Sequence, residues 1–129
     1  MAKVFDSSAV LAALYGEPGG DKVKQDLPGG VVSSVNASEI ITVLMRKGAP
    51  FEEAAAALRK TLLKVQDFTF EGALKTASLL SPQARSRGLS LGDRACLATG
   101  LLLRLPVVTA ERNWTGLSVP GLKIETIRP

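Results

Sequence analysis

The alternation of short apolar segments with helical segments is the feature of this sequence that most constrains its fold. Two segments, residues 2–5 (AKVF) and 106–109 (PVVT), are almost wholly apolar, as is typical of strands buried on both faces. Helical patterns lie between them, including the alanine-rich, amphipathic segment FEEAAAALRKTLLKV. Strands separated by helices indicate a parallel sheet covered on both faces. The sequence therefore predicts an α/β fold with three layers, α/β/α, around a central, mainly parallel sheet.

Capping residues and breaks at glycine and proline place the other elements. We predict five strands, at residues 2–5, 30–35, 65–70, 106–109 and 122–127, and the alternation in the last (LKIETI) predicts an edge strand. Asn36 and Glu39 have the spacing of a capping box, which predicts a helix start there. Ser90 is expected to cap a long apolar helix over residues 91–104.

Composition limits the chemistry that this chain can perform. It has no histidine and one cysteine, so zinc sites built from nitrogen and sulfur ligands, and Ser-His-Asp or Cys-His catalysis, are excluded. Sixteen basic residues against 12 acidic ones give a net charge of +4, which favours polyanionic partners. Any catalysis must rest on carboxylates, hydroxyls, lysines or a hard metal ion held by oxygen ligands.

Length and hydropathy predict one cytoplasmic domain. The 129 residues suffice for one hydrophobic core and contain no dividing linker, so we expect a single domain over residues 1–129. No apolar stretch approaches the roughly 20 residues that span a bilayer, and the start (MAKVFDSS) lacks the apolar region of a signal peptide. We therefore expect a cytoplasmic protein with no membrane contact, and a lone cysteine suits that reducing compartment.

Four acidic residues are expected at one edge of the predicted sheet. Asp6 follows the first strand, Glu39 lies in the first turn of the helix after the second strand, and Glu111 follows PVVT. Asp93 lies in the first turn of the helix that precedes PVVT, and that helix must begin at the same edge to feed a parallel strand. In open parallel sheets the ligand site lies outside the carboxyl ends of the strands.

Each acid taken singly has an ordinary explanation, as a helix cap, a capping-box partner, a partner of the helix dipole or a turn residue. Caps have no reason to gather at one edge, however, and clustered carboxylates repel one another unless a cation neutralises them. Mg²⁺ or Mn²⁺ is the compatible cation, because both prefer oxygen ligands. Such an ion activates water, polarises a phosphoryl oxygen and stabilises a leaving alkoxide. The four acids therefore predict metal-dependent phosphodiester hydrolysis.

Four segments also carry a resemblance to a known family. VFDSSAVLA, VNASEI, LSLGDRACLA and VVTAERNW resemble the motif blocks of PIN-domain ribonucleases, most closely the VapC-like toxins of bacterial and archaeal toxin–antitoxin pairs. The resemblance runs from Val4 to the last strand. It implies a compact PIN-like fold and Mg²⁺- or Mn²⁺-dependent cleavage of RNA that leaves a 5′-phosphate and a 3′-hydroxyl. It also implies a homodimer and an antitoxin partner whose C-terminal segment covers the active site.

By this resemblance, Asp6, Glu39 and Asp93 match the three principal metal-binding acids of the catalytic site. The fourth acid of the family is usually an aspartate in a T-x-D-R-x-[FW] block, where this chain has Glu111. Glutamate is longer by one methylene, so we expect Glu111 to assist through water, at a second, weaker metal position, or only by tuning the electric field of the site. The expected function is that of a metal-dependent endoribonuclease, the toxin of a type II toxin–antitoxin pair.

Two other functions stay open at this stage. The first is a catalytically silent PIN-like module that binds RNA or a protein, and the Glu111 substitution is its only support in the sequence. The second is a phospho-acceptor domain of the receiver type, which also places acids at strand ends. It requires a paired acid near the first strand and a lysine after a late strand, and AKVFDSS and PVVTAERN supply neither.

Four more residues have two readings each. Arg94 and Arg112 follow two of the acids, and contact with phosphate or an ion pair with a neighbouring acid are equally open for both. Trp114 is expected to anchor packing rather than to stack on a base. Cys96, one turn beyond Asp93, is expected in the core rather than as a nucleophile.

Overall fold

The computed structural model describes residues 2–128, so the outer bounds of the predicted domain, residues 1 and 129, lie just outside it. The strands are β1 (Val4–Phe5), β2 (Val31–Ser33), β3 (Lys64–Gln66), β4 (Val107–Thr109) and β5 (Ile124–Thr126). The helices are α1 (Ser7–Tyr15), α2 (Gly20–Asp26), α3 (Ser34–Arg46), α4 (Phe51–Lys60), α5 (Phe70–Ser78), α6 (Pro82–Ser86) and α7 (Leu91–Leu103), with a 3₁₀ turn at Arg112–Trp114.

The five strands form one sheet in the order β3-β2-β1-β4-β5, and every neighbouring pair is parallel. Val4 of β1 pairs with Val31 on one side and with Val107 on the other. The prediction of an α/β fold with a central parallel sheet is confirmed, and so is the edge position of the last strand. Because all strands run the same way, the segments that follow β1, β2 and β4 leave the sheet at one edge.

Alternate residues of the central strands supply two separate cores, one on each face of the sheet. Val4, Val31 and Val107 face α6 and α7, together with Cys96 and Trp114. The next residues along the strands face α1, α3 and α4, in a core that includes Phe5, Val32, Val108, Val10, Ile40 and Leu58. Trp114 and Cys96 are both buried, as predicted. This division into two cores produces the three layers.

The start of α3 differs from the prediction. The capping box predicted at Asn36 and Glu39 is wrong: α3 begins at Ser34, and the Ser33 hydroxyl caps it by accepting a hydrogen bond from the Asn36 amide (3.0 Å). Ser33 and Asn36 are comparable caps, and a start at Ser34 lets the Asn36 side chain reach buried partners. Glu39 accordingly lies in the second turn of α3, not the first.

The third strand also lies earlier than predicted. α4 ends at Lys60 rather than continuing to residue 65, and β3 occupies Lys64–Gln66. Leu62 adopts a left-handed conformation (φ 61°) between the two elements, and this turn redirects the chain into the sheet. Within residues 2–128, no helix has both the length and the apolar composition needed to cross a membrane.

Candidate active site

A cavity of about 330 Å³ opens at the edge of the sheet where β1, β2 and β4 end. All four acids singled out in the sequence line this cavity: Asp6, Glu39, Asp93 and Glu111. The fold therefore brings together side chains that are up to 105 positions apart in the chain. A fifth acid, Glu17, lines the same cavity and was not identified from the sequence, because it follows α1 without any motif of its own.

Asp6, directly after β1, is the only one of the four acids that is buried. It occupies the N-cap position of α1, but its side chain makes no capping hydrogen bond. Instead, its Oδ2 atom accepts hydrogen bonds from the hydroxyls of Ser8 (2.6 Å) and Thr109 (3.0 Å). Burial raises the pKa of Asp6 from 3.8 to about 7, and the hydrogen bonds from Ser8 and Thr109 only partly oppose this, while the charges of Asp93 and Glu111 add to it.

Glu39 projects from the second turn of α3, and hydrogen bonds hold one oxygen of its carboxylate. Its Oε1 atom accepts hydrogen bonds from the Ser7 hydroxyl (2.7 Å) and from the Asn36 side-chain amide (2.8 Å). Its carboxylate lies against Gly92, where any Cβ atom would overlap it. The absence of a side chain at Gly92 therefore makes the space that Glu39 occupies.

Asp93, in the first turn of α7, both caps this helix and lines the cavity. With Ser90 it forms a complete capping box: the Ser90 amide donates to Asp93 Oδ2 (2.9 Å), and the Asp93 amide donates to the Ser90 hydroxyl (3.1 Å). Capping by Ser90 is thus confirmed. Burial raises the pKa of Asp93, the hydrogen bonds from Ser90 oppose the shift, and the charge of Glu39 adds to it. Its Oδ1 atom accepts no hydrogen bond from residues 2–128, and the residue lines the cavity.

Glu111 stands at the mouth of the cavity, two residues after β4, and is exposed. Partial desolvation and the charge of Asp93 raise its pKa, whereas Arg128 lowers it. Its side chain does not cap the 3₁₀ turn that follows it. Glu111 is therefore close enough to the other acids to share their field, but it is held less firmly than they are.

The family of the chain follows from comparison with known protein families. The model of the PIN domain matches residues 3–118, which include all four acids and every strand except β5. The chain belongs to the PIN-domain family. Comparison with curated proteins gave no significant match.

Solved structures share the fold of this PIN domain. A chain of the DNA-bound VapBC from Salmonella typhimurium matches with a TM-score of 0.72 at 20% identity, over 99% of this chain and 100% of that one. A chain of a toxin–antitoxin complex from Klebsiella pneumoniae matches with a TM-score of 0.69 at 18% identity, over 94% and 95% of the two chains. For VapBC-1 from nontypeable Haemophilus influenzae, the TM-score is 0.67 at 16% identity, over 98% of each chain.

The donor set of this PIN domain fits a hard cation in its chemistry. Asp6, Glu39 and Asp93 each have one carboxylate oxygen held by the protein, whereas the other oxygen receives no hydrogen bond from residues 2–128. Outer hydrogen bonds of this kind orient the carboxylates that ligate metal ions. Free carboxylate oxygens are the ligands that Mg²⁺ and Mn²⁺ prefer.

The spacing of these carboxylates is wider than that of a formed metal site. Within residues 2–128, no three histidine, cysteine, aspartate or glutamate side chains lie close enough together to hold an ion as they stand. Ionised carboxylates repel one another, and the charges of Asp93 and Glu111 both contribute to the raised pKa of Asp6, although burial is its main cause.

Asn36, predicted from the sequence to be a helix cap, is a residue of the site. Its side chain is fully buried, and its amide nitrogen donates to Glu39 Oε1 (2.8 Å), to the Gly92 carbonyl (3.1 Å) and to Ser7 Oγ (3.2 Å). Its position three residues before Glu39, on the same helix face, is the signal that could have identified it. Asn36 thus links three elements of the site.

The two arginines beside the acids do not line the cavity. Arg94 turns away from it and donates to the Thr76 carbonyl at the end of α5 (3.1 Å). Arg112 is exposed in the 3₁₀ turn. Asn113, beside it, exchanges hydrogen bonds with Arg87 and so fastens the 3₁₀ turn to the segment after α6. The cations that line the cavity are instead Lys47 and Arg128.

Proposed function

We propose that this PIN domain is a metal-dependent endoribonuclease and the toxin of a type II toxin–antitoxin pair. The observation that carries the proposal is the shared cavity of Asp6, Glu39, Asp93 and Glu111, in which three carboxylates each keep one free oxygen. A pocket of oxygen donors without histidine suits Mg²⁺ or Mn²⁺ and phosphodiester hydrolysis. Asp6, Glu39 and Asp93 are assigned to the metal, and Glu111 assists at the mouth.

The residues around the acids have definite tasks in this proposal. Ser8 and Thr109 fix Asp6, Ser7 and Asn36 fix Glu39, and the Ser90 amide fixes Asp93, and the second oxygen of each acid stays free of hydrogen bonds within residues 2–128. A bound Mg²⁺ or Mn²⁺ ion supplies a Lewis acid for the phosphoryl group and a source of nucleophilic water. With such an ion bound, the ionised form of Asp6 would be favoured. Lys47 and Arg128 reduce the negative potential that RNA meets on entry.

The partners belong to the proposal as well. The matched structures from Salmonella typhimurium, Klebsiella pneumoniae and Haemophilus influenzae are toxin–antitoxin or VapBC assemblies, which supports a cognate antitoxin for this chain. We extend the proposal to an RNA substrate, a homodimer and a cytoplasmic location, with residues 1–129 acting as a single nuclease domain. The charge of +4 suits both RNA and an acidic antitoxin.

The decisive test is cleavage of structured RNAs by the purified protein and by Asp93→Asn. Asparagine at position 93 still caps α7 but carries no charge, so the variant should fold normally and lose at least about a hundredfold in kcat/KM. Asp67→Asn, at an exposed aspartate outside the cavity, is the matched control and should cleave like the parent protein. EDTA should abolish cleavage, and Mg²⁺ or Mn²⁺ should restore it. Equal rates for Asp93→Asn and the parent protein would refute the assignment.

Metal titration separates the nuclease from a silent PIN-like module. The nuclease should bind Mn²⁺ in a manner that Asp6→Asn and Glu39→Gln weaken. A protein that binds RNA without any carboxylate-dependent binding of Mn²⁺ would be a silent binding module instead.

A further inference from the structure

A pair of residues at the far end of the same cavity has no role in holding the metal. Tyr15 is the last residue of α1, and Lys47 follows the last residue of α3. The Lys47 Nζ atom lies 4.1 Å from the centre of the Tyr15 ring, which is the geometry of a cation–π contact. Both side chains line the cavity that contains the acids.

Part of the cavity is a groove between α1 and α3, and side-chain contacts bridge the two helices at each end of this groove. At the acidic end, Ser7 of α1 donates a hydrogen bond to Glu39 of α3. At the other end, Tyr15 of α1 meets Lys47, just past the end of α3. Eight residues separate the two contacts along each helix, which corresponds to about 12 Å. Between the two ends, the groove is lined by the apolar side chains of Leu11 and Val43.

Of the two basic side chains that line the cavity, Arg128 forms an ion pair within the described part of the chain and Lys47 does not. Arg128 is engaged with Glu17, since its Nη2 atom lies 3.1 Å from Glu17 Oε1. Lys47 takes part in none of the ion pairs formed among residues 2–128, and it is exposed. Tyr15 lines the same cavity and is 41% exposed, so its ring is accessible to a ligand there. An unpaired cation therefore lies beside an accessible aromatic ring.

We propose that Tyr15 and Lys47 form a nucleotide subsite, in which the Tyr15 ring stacks on a base of single-stranded RNA and the Lys47 ammonium group binds an adjacent phosphate. This inference rests on the proposed nuclease function, because it places the subsite on the strand whose scissile phosphate lies at the acids. A distance of about 12 Å leaves room for one or two nucleotides between them. Aromatic rings beside basic side chains are the usual means of holding single strands. An acidic peptide is a poorer occupant, because its carboxylates could pair with Lys47 but it offers no flat base to stack on the Tyr15 ring.

Steady-state kinetics with paired variants test the subsite. Tyr15→Leu and Lys47→Gln should each raise KM for an oligoribonucleotide by roughly 5- to 30-fold, with kcat within about twofold of the parent. Tyr15→Phe retains the ring, and Lys75→Gln removes an exposed lysine of α5, so both should behave like the parent protein. A dinucleotide substrate is too short to reach the subsite, and the effects of both variants should vanish with it. Lys47→Gln should also reduce the slope of log KM against log salt concentration by about 0.7.

A binding measurement independent of cleavage completes the test. Tyr15 is the only tyrosine of the chain, so protein labelled with 3-fluorotyrosine gives a single ¹⁹F resonance from this position. In EDTA, an oligoribonucleotide should shift this resonance, and Lys47→Gln should weaken the titration while Lys75→Gln should not. Polyglutamate of equal charge should leave the resonance unmoved. An equal shift with polyglutamate would show a site for acidic peptides and overturn the nucleotide assignment.

The two proposals fail in different ways. If the parent protein cleaves RNA but Tyr15→Leu and Lys47→Gln match it and the resonance does not move, the subsite is refuted and the nuclease function stands. If RNA moves the resonance but is never cleaved, the subsite is supported and the nuclease function is refuted. Neither cleavage nor a shift would refute both.

Discussion

At the scale of single residues, the fold places one carboxyl group where water cannot solvate its charge. Asp6 is 2% exposed, and burial raises its pKa from 3.8 to about 7. For an acid, a pKa that is higher in the folded state than in the unfolded state means that ionisation favours unfolding. The metal-free protein should therefore lose stability as the pH rises from about 4 to about 7. A residue that destabilises the metal-free fold is consistent with a role in binding a cation.

Asp6→Asn should stabilise the metal-free protein at neutral and higher pH. A displacement of about three pH units corresponds to on the order of 4 kcal/mol, and asparagine retains an oxygen that can accept from Ser8 and Thr109. In EDTA at pH 8, we expect a gain of about 2 kcal/mol in the free energy of unfolding, shrinking towards zero at pH 4. Urea denaturation at both pH values measures the difference. Asp67→Asn should have no such effect, and a gain that is independent of pH would contradict the explanation.

Gly92→Ala should damage the site without unfolding the protein. A Cβ atom at Gly92 would overlap the Glu39 carboxylate, which is the end of a flexible side chain and can move away. We expect Mn²⁺ affinity and cleavage to fall by about tenfold or more, and the free energy of unfolding to change by less than about 1 kcal/mol. The matched control is Gly72→Ala in α5, where the new Cβ atom would meet Phe68 at an ordinary 3.5 Å. Equal activity of Gly92→Ala and the parent would show that Glu39 has no fixed task.

At the scale of elements, the site depends on how α1, α3 and α7 meet. Asn36 lies at their junction, with hydrogen bonds to Ser7 of α1, Glu39 of α3 and the Gly92 carbonyl of α7. Its side-chain oxygen also accepts from the Ser33 hydroxyl, which caps α3. All donors and acceptors of a fully buried amide are thus used, which fixes the three elements relative to one another.

Asn36→Ala should lower both stability and metal affinity. The substitution removes the partners of several buried polar groups, so we expect a loss of about 2–3 kcal/mol in the free energy of unfolding. Without the amide, Glu39 loses one of its two orienting hydrogen bonds, and Mn²⁺ affinity should fall by roughly 10- to 100-fold. Denaturation and calorimetric titration measure the two effects. Asn113→Ala, at an exposed asparagine, should cost less than about 1 kcal/mol and leave Mn²⁺ affinity unchanged.

At the scale of the whole molecule, an acidic cavity lies within a basic protein. Four of the 12 acidic residues, Asp6, Glu39, Asp93 and Glu111, line one end of the cavity, and the 16 basic residues outnumber the other acids by eight. The surrounding charge attracts a phosphate backbone, whereas the cavity itself attracts a cation. Binding of that cation should relieve the repulsion among the acids and so stabilise the entire fold.

Mn²⁺ should therefore raise the melting temperature of the protein. At one hundred times its dissociation constant, a ligand that binds only the folded state adds about 2.7 kcal/mol. For a chain of this size we expect a rise of roughly 10 °C, measurable by thermal denaturation at pH 8. Glu39→Gln should lose most of the rise, whereas Glu53→Gln, at an exposed glutamate of α4, should keep it. An equal rise in Glu39→Gln and the parent would place the Mn²⁺ site elsewhere.

Local patterns in the sequence are sufficient for the element order and for the location of the acids. Apolar runs mark the strands, and in a parallel sheet whatever follows a strand lies at its carboxyl edge, so Asp6 and Glu111 are placed there by polarity alone. Ser90 marks the start of α7, and with it the position of Asp93. These inferences need only the neighbouring residues, because periodicity and capping are local properties.

The tertiary structure alone decided the features that depend on distant contacts. The order of the strands, the start of α3 at Ser34 and the interior position of Asn36 follow from packing among segments far apart in the chain. The same holds for the pKa of Asp6, which depends on burial, and for the contact of Tyr15 with Lys47. Sequence determines which groups reach the edge of the sheet, because that depends on strand direction. Only the packed molecule determines how those groups are held, because their partners come from other elements.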